Sequence, residues 1–93
     1  MNAANDPEND SPLQFPCEFP IKVMGRQAPD FEASILALIS SHFGEIGPER
    51  VRSRASANGS FISVTVTVQA ESRAQLDAAY RSLTAAEQVL FVL

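Results

Sequence analysis

Arg50, Arg52 and Arg54 recur at every second position. On an extended strand, side chains at that spacing project to one face, and a guanidinium fork suits a phosphate or a carboxylate. The run that follows alternates without a break. Ile62, Val64, Val66 and Val68 have one parity, and Phe61, Ser63, Thr65 and Thr67 the other. The two runs read as a hairpin over residues 50–70, joined by a tight Asn58-Gly59 turn. One face of the hairpin is then apolar. The other is open and carries Arg50, Arg52, Arg54, Phe61 and Ser63, a candidate partner surface. An aromatic beside arginines could also stack a nucleic-acid base.

A second candidate lies in the connection spanning residues 25–30. Free backbone N–H groups at a helix N-terminus favour an anion, and here Lys22 and Arg26 could assist beside Gly25 and Asp30. With one glycine and no G-x-G-x-x-G pattern, the segment reads more simply as an ordinary strand-to-helix connection in which Gly25 supplies backbone freedom. Cys17 and His42 invite a nucleophile–base reading. A single cysteine at a strand edge and a single histidine at the end of a helical stripe read more simply as packed side chains. No catalytic residue is assigned. Neither metal nor cofactor is expected, since a closed zinc site takes four ligands. Ser56, Ser60 and Ser63 lack a base partner, and Glu45, Glu49, Glu71 and Asp77 read as solvated charge.

The elements that must position these residues follow from periodicity. Residues 1–13 are rich in Asn, Asp, Pro and Ser, which predicts a disordered acidic tail ahead of a domain over residues 14–93. Phe19, Ile21 and Val23 alternate with Pro20, Lys22 and Met24 in a first strand ending at Gly25. Pro29 suits a first helical turn, and Phe31, Ile35, Leu38, Ile39 and His42 form a helical stripe that Gly44 and Gly47-Pro48 stop. Ser72 and Gln75 make an S-x-x-Q capping box for a second helix with the stripe Leu76, Ala79, Tyr80 and Leu83. A last strand covers residues 89–93. Strict alternation would place Val89, Phe91 and Leu93 on one face and Leu90 and Val92 on the other.

The order β-α-β-β-α-β predicts an α+β, ferredoxin-like two-layer sandwich: a four-stranded antiparallel sheet with both helices on one face. The first and third strands should be central. The arginines then lie on an edge strand, where charge also discourages edge-to-edge aggregation. A terminal strand apolar on both faces, at a sheet edge and beside Met24, argues for a partner, with a homodimer as one form of it.

Composition narrows the function classes. The chain has 93 residues, 45% of them hydrophobic, enough for one small core. Net charge is −4, of which Asp6, Glu8 and Asp10 contribute three; the remainder is near neutral, with seven basic and eight acidic residues. A near-neutral domain argues against nucleic acid as the partner. No apolar run is long enough to span a bilayer, the N-terminus lacks the features of a secretory signal, and one cysteine rules out an internal disulfide framework. The expectation is a cytoplasmic protein without a membrane association.

The segment FPxxFPIKVMG (residues 15–25), the Pro29-Asp30-Phe31 helix start and Ser56-x-x-Gly59-x-Phe61-x-Ser63-Val64 together resemble the small bacterial YbeD-like proteins, also called DUF493 or UPF0250. The resemblance covers residues 13–93. It implies a ferredoxin-like domain similar to ACT-type regulatory domains, and a binding or regulatory module in place of an enzyme. ACT-type domains pair through sheet edges and hold small effectors in the loop after the first strand, here residues 25–30. Residues 59–64 also partly resemble the third-strand signature of RNA-recognition domains, with Thr65 where a second aromatic could stand. Three functions follow in order: a regulatory or protein-interaction module; a sensor of amino-acid-like effectors at a dimer interface; and a weak RNA binder acting through the open sheet face.

Overall fold

The computed structural model describes residues 13–93; the acidic tail expected over residues 1–13 therefore lies, but for Leu13, outside the described residues. The elements follow in the order β1 (Cys17–Arg26), α1 (Phe31–Phe43), a 3-10 turn (Pro48–Arg50), β2 (Val51–Ala55), β3 (Phe61–Ala70), α2 (Arg73–Ala85) and β4 (Val89–Val92). The sheet is antiparallel in the order β2-β3-β1-β4, with β1 and β3 central. This is the ferredoxin-like arrangement expected from the element order.

Alternation sets the two faces of the sheet. Ile21 and Val23 of β1 and Ile62, Val64, Val66, Val68 and Ala70 of β3 are buried beneath the helices. They meet Phe31, Ile35 and Ile39 of α1 and Leu76, Ala79 and Leu83 of α2 in one core. Each fully buried aliphatic side chain here is worth about 1.5–3 kcal/mol of transfer free energy. Leu13 and Phe15, ahead of β1, also pack against this core.

The caps follow local chemistry. Ser72 Oγ accepts from the Gln75 N–H at 3.1 Å, as the capping box predicts. Its return arm is displaced by one residue, because Gln75 Oε1 accepts from the N–H of Glu71 at 2.7 Å. Gly44 ends α1 with φ +83° and donates its N–H to Ser40 O at 2.8 Å. Asp30 precedes α1 without making a side-chain cap.

Four local expectations are corrected. Asn58 and Gly59 do not form a two-residue turn; they sit in the wider loop of residues 56–60. There Gly59 N–H donates to Ser56 O (2.9 Å), Asn58 Oδ1 accepts from Ser60 N–H (3.1 Å), and Gly59 takes φ +77°. Arg50 belongs to the 3-10 turn that Pro48 opens, and β2 starts one residue later. Gly25 has no positive φ; it is required because a Cβ there would strike the Phe31 ring and lie 2.6 Å from Gln88 O. Finally, the β1–β4 pairing shifts register between Met24 and Gly25, so that Val92 faces Val23, Phe91 faces Met24 and Val89 faces Gly25. The irregularity breaks strict alternation. Val89 and Val92 pack against the core, while Leu90 and Phe91 are exposed.

Candidate interaction surface

No element of the described chain covers the second face of the sheet. β1 presents Glu18, Pro20, Lys22, Met24 and Arg26 there, since its intervening residues are turned into the core. β3 presents Phe61, Ser63, Thr65, Thr67 and Gln69, and β2 presents Arg52 and Arg54. The registers assemble these into rows across the strands. One row reads Phe91, Met24, Ser63, Arg54; the next pairs Lys22 with Thr65 and Arg52. Leu93 extends the second row, exchanging both backbone hydrogen bonds with Lys22 (2.7 and 3.3 Å). The face is therefore zoned. Apolar side chains stand at the β4 side, hydroxyls run along β3, and guanidinium groups line β2.

The apolar zone is open to solvent: Leu90, Phe91 and Leu93 retain 49%, 47% and 62% exposure. At the opposite edge, Arg50 reaches onto the face from its turn. Its Nη2 donates to Glu18 Oε2 at 2.8 Å and its Nη1 lies 3.4 Å from Thr67 O. The hydrogen bond and charge of Glu18 hold the Arg50 guanidinium above its usual pKa. Arg26 lies over the Phe61 ring, its guanidinium carbon 5.8 Å from the centroid. Among the described residues, Lys22, Arg52 and Arg54 have no carboxylate partner at ion-pair distance.

Two shallow depressions lie on this face. One, of about 220 Å³, is bounded by Pro20, Glu49, Arg50, Val51, Arg52, Thr65 and Thr67. The other, of about 180 Å³, is bounded by Lys22, Met24, Arg54, Ala55, Ser56, Phe61, Ile62 and Ser63. Both are smaller than the roughly 300–1,000 Å³ of an enclosing small-molecule pocket.

The structure thus gathers Arg50, Arg52, Arg54, Phe61 and Ser63 on one surface, and adds Lys22, Met24, Arg26, Phe91 and Leu93 to it. It does not gather the loop candidates. Lys22 and Arg26 stand on the open face, Gly25 is buried on the helix side under Phe31, and Asp30 is exposed ahead of α1. Cys17 is half-buried on β1 opposite Ala70. The His42 imidazole belongs to the helix layer, with Nε2 2.8 Å from Ser82 Oγ, while Gln75 Nε2 donates to its carbonyl oxygen at 2.9 Å. Among the described residues, no cluster of three or more His, Cys, Asp or Glu side chains could hold a metal ion, and no helix is long and apolar enough to cross a membrane.

Net charge concealed one property of the surface. Five of the seven basic residues stand on this face; among the described residues the carboxylates there are Glu18 and, at the border of one depression, Glu49. Asp30, Glu32, Glu45, Glu71, Asp77 and Glu87 lie in the helices, turns and loops away from it, together with Arg73 and Arg81. A near-neutral total is thus divided between a positive sheet face and a negative remainder. The signal was present in the parity of Lys22 and Arg26 on β1, but it needed the β1–β3 register to join them to the arginines of β2.

An antiparallel sheet backed on one face by two helices, in the order β-α-β-β-α-β, defines a ferredoxin-like α+β domain. The family model described as "Protein of unknown function (DUF493)" matches residues 10–93, and the chain belongs to that family. It is 46% identical over 87 residues to a UPF0250 protein of Paraburkholderia phymatum, covering 94% of this chain and 98% of that one. A UPF0250 protein of Ralstonia nicotianae is 42% identical over 97 residues, with both chains fully covered. In three dimensions the chain is similar to the solution structure of protein HP0495 from H. pylori, with a TM-score of 0.70 and 13% identity over all of this chain and 94% of that one. The last likeness concerns the fold alone.

Proposed function

We propose that this protein is a binding module that acts on a partner protein through the open face of its sheet. The observation that carries this reading is the exposed apolar group Leu90, Phe91 and Leu93, continuous with Met24. Water contact with such a group is unfavourable, and its burial against a partner would supply binding free energy of about 25 cal/mol per Å² removed from solvent, before association costs. The shallowness of both depressions favours a macromolecular partner over an enclosed small effector. The dispersal of Lys22, Gly25, Arg26 and Asp30 favours the same choice over a sensor built on that loop.

The test compares the wild type with a Phe91→Ser, Leu93→Ser double variant whose fold is verified by its amide spectrum. Each is used to capture proteins from the source cell, and any retained protein is purified and titrated directly. A partner that binds the wild type and loses affinity for the variant supports the reading. A partner that binds both equally overturns it.

A further inference from the structure

The arginine edge and the apolar edge of the open face are separated by the hydroxyl row of β3, on which both shallow depressions sit, and the chemistry of this strip points to a particular kind of partner segment. Ser63, Thr65 and Thr67 run along β3; Arg52 and Arg54 stand on one side, with Lys22 on the other, while Glu49 and the Arg50–Glu18 pair border the Thr67 end. The hydroxyls offer small hydrogen-bond donors, and Lys22, Arg52 and Arg54 offer cations. Among the described residues, these three cations have no carboxylate partner.

Resting on the reading above, we propose that this strip receives an extended, acidic segment of the partner protein. Its carboxylates would lie against Lys22, Arg52 and Arg54, and its apolar side chains would turn toward Met24 and Phe91. The spacing supports this form. Arg52 and Arg54 are two residues apart on a strand, or about 6.6–6.8 Å along it. A second extended chain repeats at the same interval, so carboxylates at alternate positions meet successive guanidinium groups in register. Each such pair can be bidentate, which suits arginine better than lysine.

Single-stranded RNA would also present anions to this face, but the central strands offer little for its bases. The open-face residues of β1 include no aromatic, and the one aromatic of β3, Phe61, already lies beneath Arg26. Sequence-tolerant single-strand binding relies on successive stacking platforms. Phe91 at the far side is a single exposed ring among Met24, Leu90 and Leu93, which makes an apolar group matched to protein side chains and not a run of stacking platforms.

The experiment titrates the full chain with three fluorescein-labelled probes of equal length: a peptide alternating glutamate with leucine and serine, its counterpart with lysine for glutamate, and a single-stranded oligouridylate. Amide spectra locate the contacts. The glutamate peptide should bind most tightly, shift Ser63, Thr65, Arg52 and Arg54, and weaken as salt is raised. An Arg52→Glu, Arg54→Glu variant should lose about tenfold or more, equivalent to about 1.4 kcal/mol. The two side chains are exposed on an edge strand, and its amide spectrum verifies that the fold is kept. Equal binding of the lysine peptide, shifts confined to the helix layer, or insensitivity to the double reversal would overturn the proposal. Tighter binding of the oligouridylate would also overturn it and transfer the face to nucleic acid. If the glutamate peptide fails while a captured partner still depends on Phe91 and Leu93, the acidic-segment proposal fails and the protein-binding reading stands.

Discussion

The ring of Phe31, the first residue of α1, occupies the space that a side chain on Gly25 of β1 would need. The same hypothetical Cβ would also press on the carbonyl oxygen of Gln88, immediately before β4. One missing methyl group thus lets a strand, a helix and the start of another strand meet, beside the register shift in the β1–β4 pairing. Gly25→Ala should destabilise the fold by about 1–3 kcal/mol, the usual range for overpacking a closed site. Urea unfolding of the purified variant measures this, and a change within about 0.5 kcal/mol would show that the Phe31 ring can move aside.

Ser72 supplies a cleaner cap than Asp30. Its hydroxyl accepts from the Gln75 N–H, whereas the Asp30 side chain makes no cap hydrogen bond. Ser72→Ala should therefore cost about 1 kcal/mol, while Asp30→Ala loses only the weaker attraction to the helix dipole, about 0.3–1 kcal/mol at low salt. Thermal unfolding at low and high ionic strength separates the two, since screening affects the dipole term and spares the hydrogen bond.

Much of this architecture is legible along the chain because it rests on local rules. The alternation of Ile62 through Val68 defines the two faces of β3, and the spacing of Phe31, Ile35 and Ile39 defines the buried side of α1. What escapes local reading depends on pairing. Val89 turns toward the core because β4 slips against β1, and no residue within 89–93 signals that slip. Likewise Asn58-Gly59 suggests a two-residue turn, yet Ser56 uses both its hydroxyl and its backbone to close a wider loop with Phe61. The charged face has the same origin. Lys22 and Arg26 join the β2 arginines through the sheet register, and a net charge averages that geometry away.

Tyr80 gives a pH-dependent test of the packing between α2 and the last strand. Its hydroxyl donates to Leu93 O at 2.9 Å, and partial burial raises the phenol above its usual value of 10.0. A raised folded-state value means that the fold favours the neutral form. Its contribution to stability is therefore complete below pH 10 and is lost as pH rises through the folded-state value. Tyr80 is the only tyrosine and the chain has no tryptophan, so phenolate absorbance reports this group alone. The midpoint should lie higher in the folded protein than in urea. Tyr80→Phe should cost about 0.5 kcal/mol at neutral pH, the lower end for a hydrogen bond near solvent, and should remove this group's contribution to the alkaline loss of stability. Equal midpoints in both states would rule out this role.

The register shift makes a prediction that separates structural from functional side chains on one short strand. Val92 is opposite Val23 and packs against the core, whereas neighbouring Phe91 is opposite Met24 on the uncovered face. A polar residue at 92 places a hydroxyl where aliphatic groups meet, so Val92→Ser should destabilise by about 1 kcal/mol or more. Phe91→Ser removes a larger side chain from solvent-facing surface and should change stability by less than about 0.5 kcal/mol. Strict alternation from Val89 would likewise put residues 91 and 92 on opposite faces, so these two variants alone do not report the slip. Val89→Ser does, because the shifted pairing predicts a cost there while Phe91→Ser remains nearly neutral, and strict alternation requires positions 89 and 91 to respond alike. Denaturant unfolding of the three variants decides between the two arrangements. A cost at 89 and 92 with tolerance at 91 leaves the Phe91 side chain free of any part in the core and available to a partner.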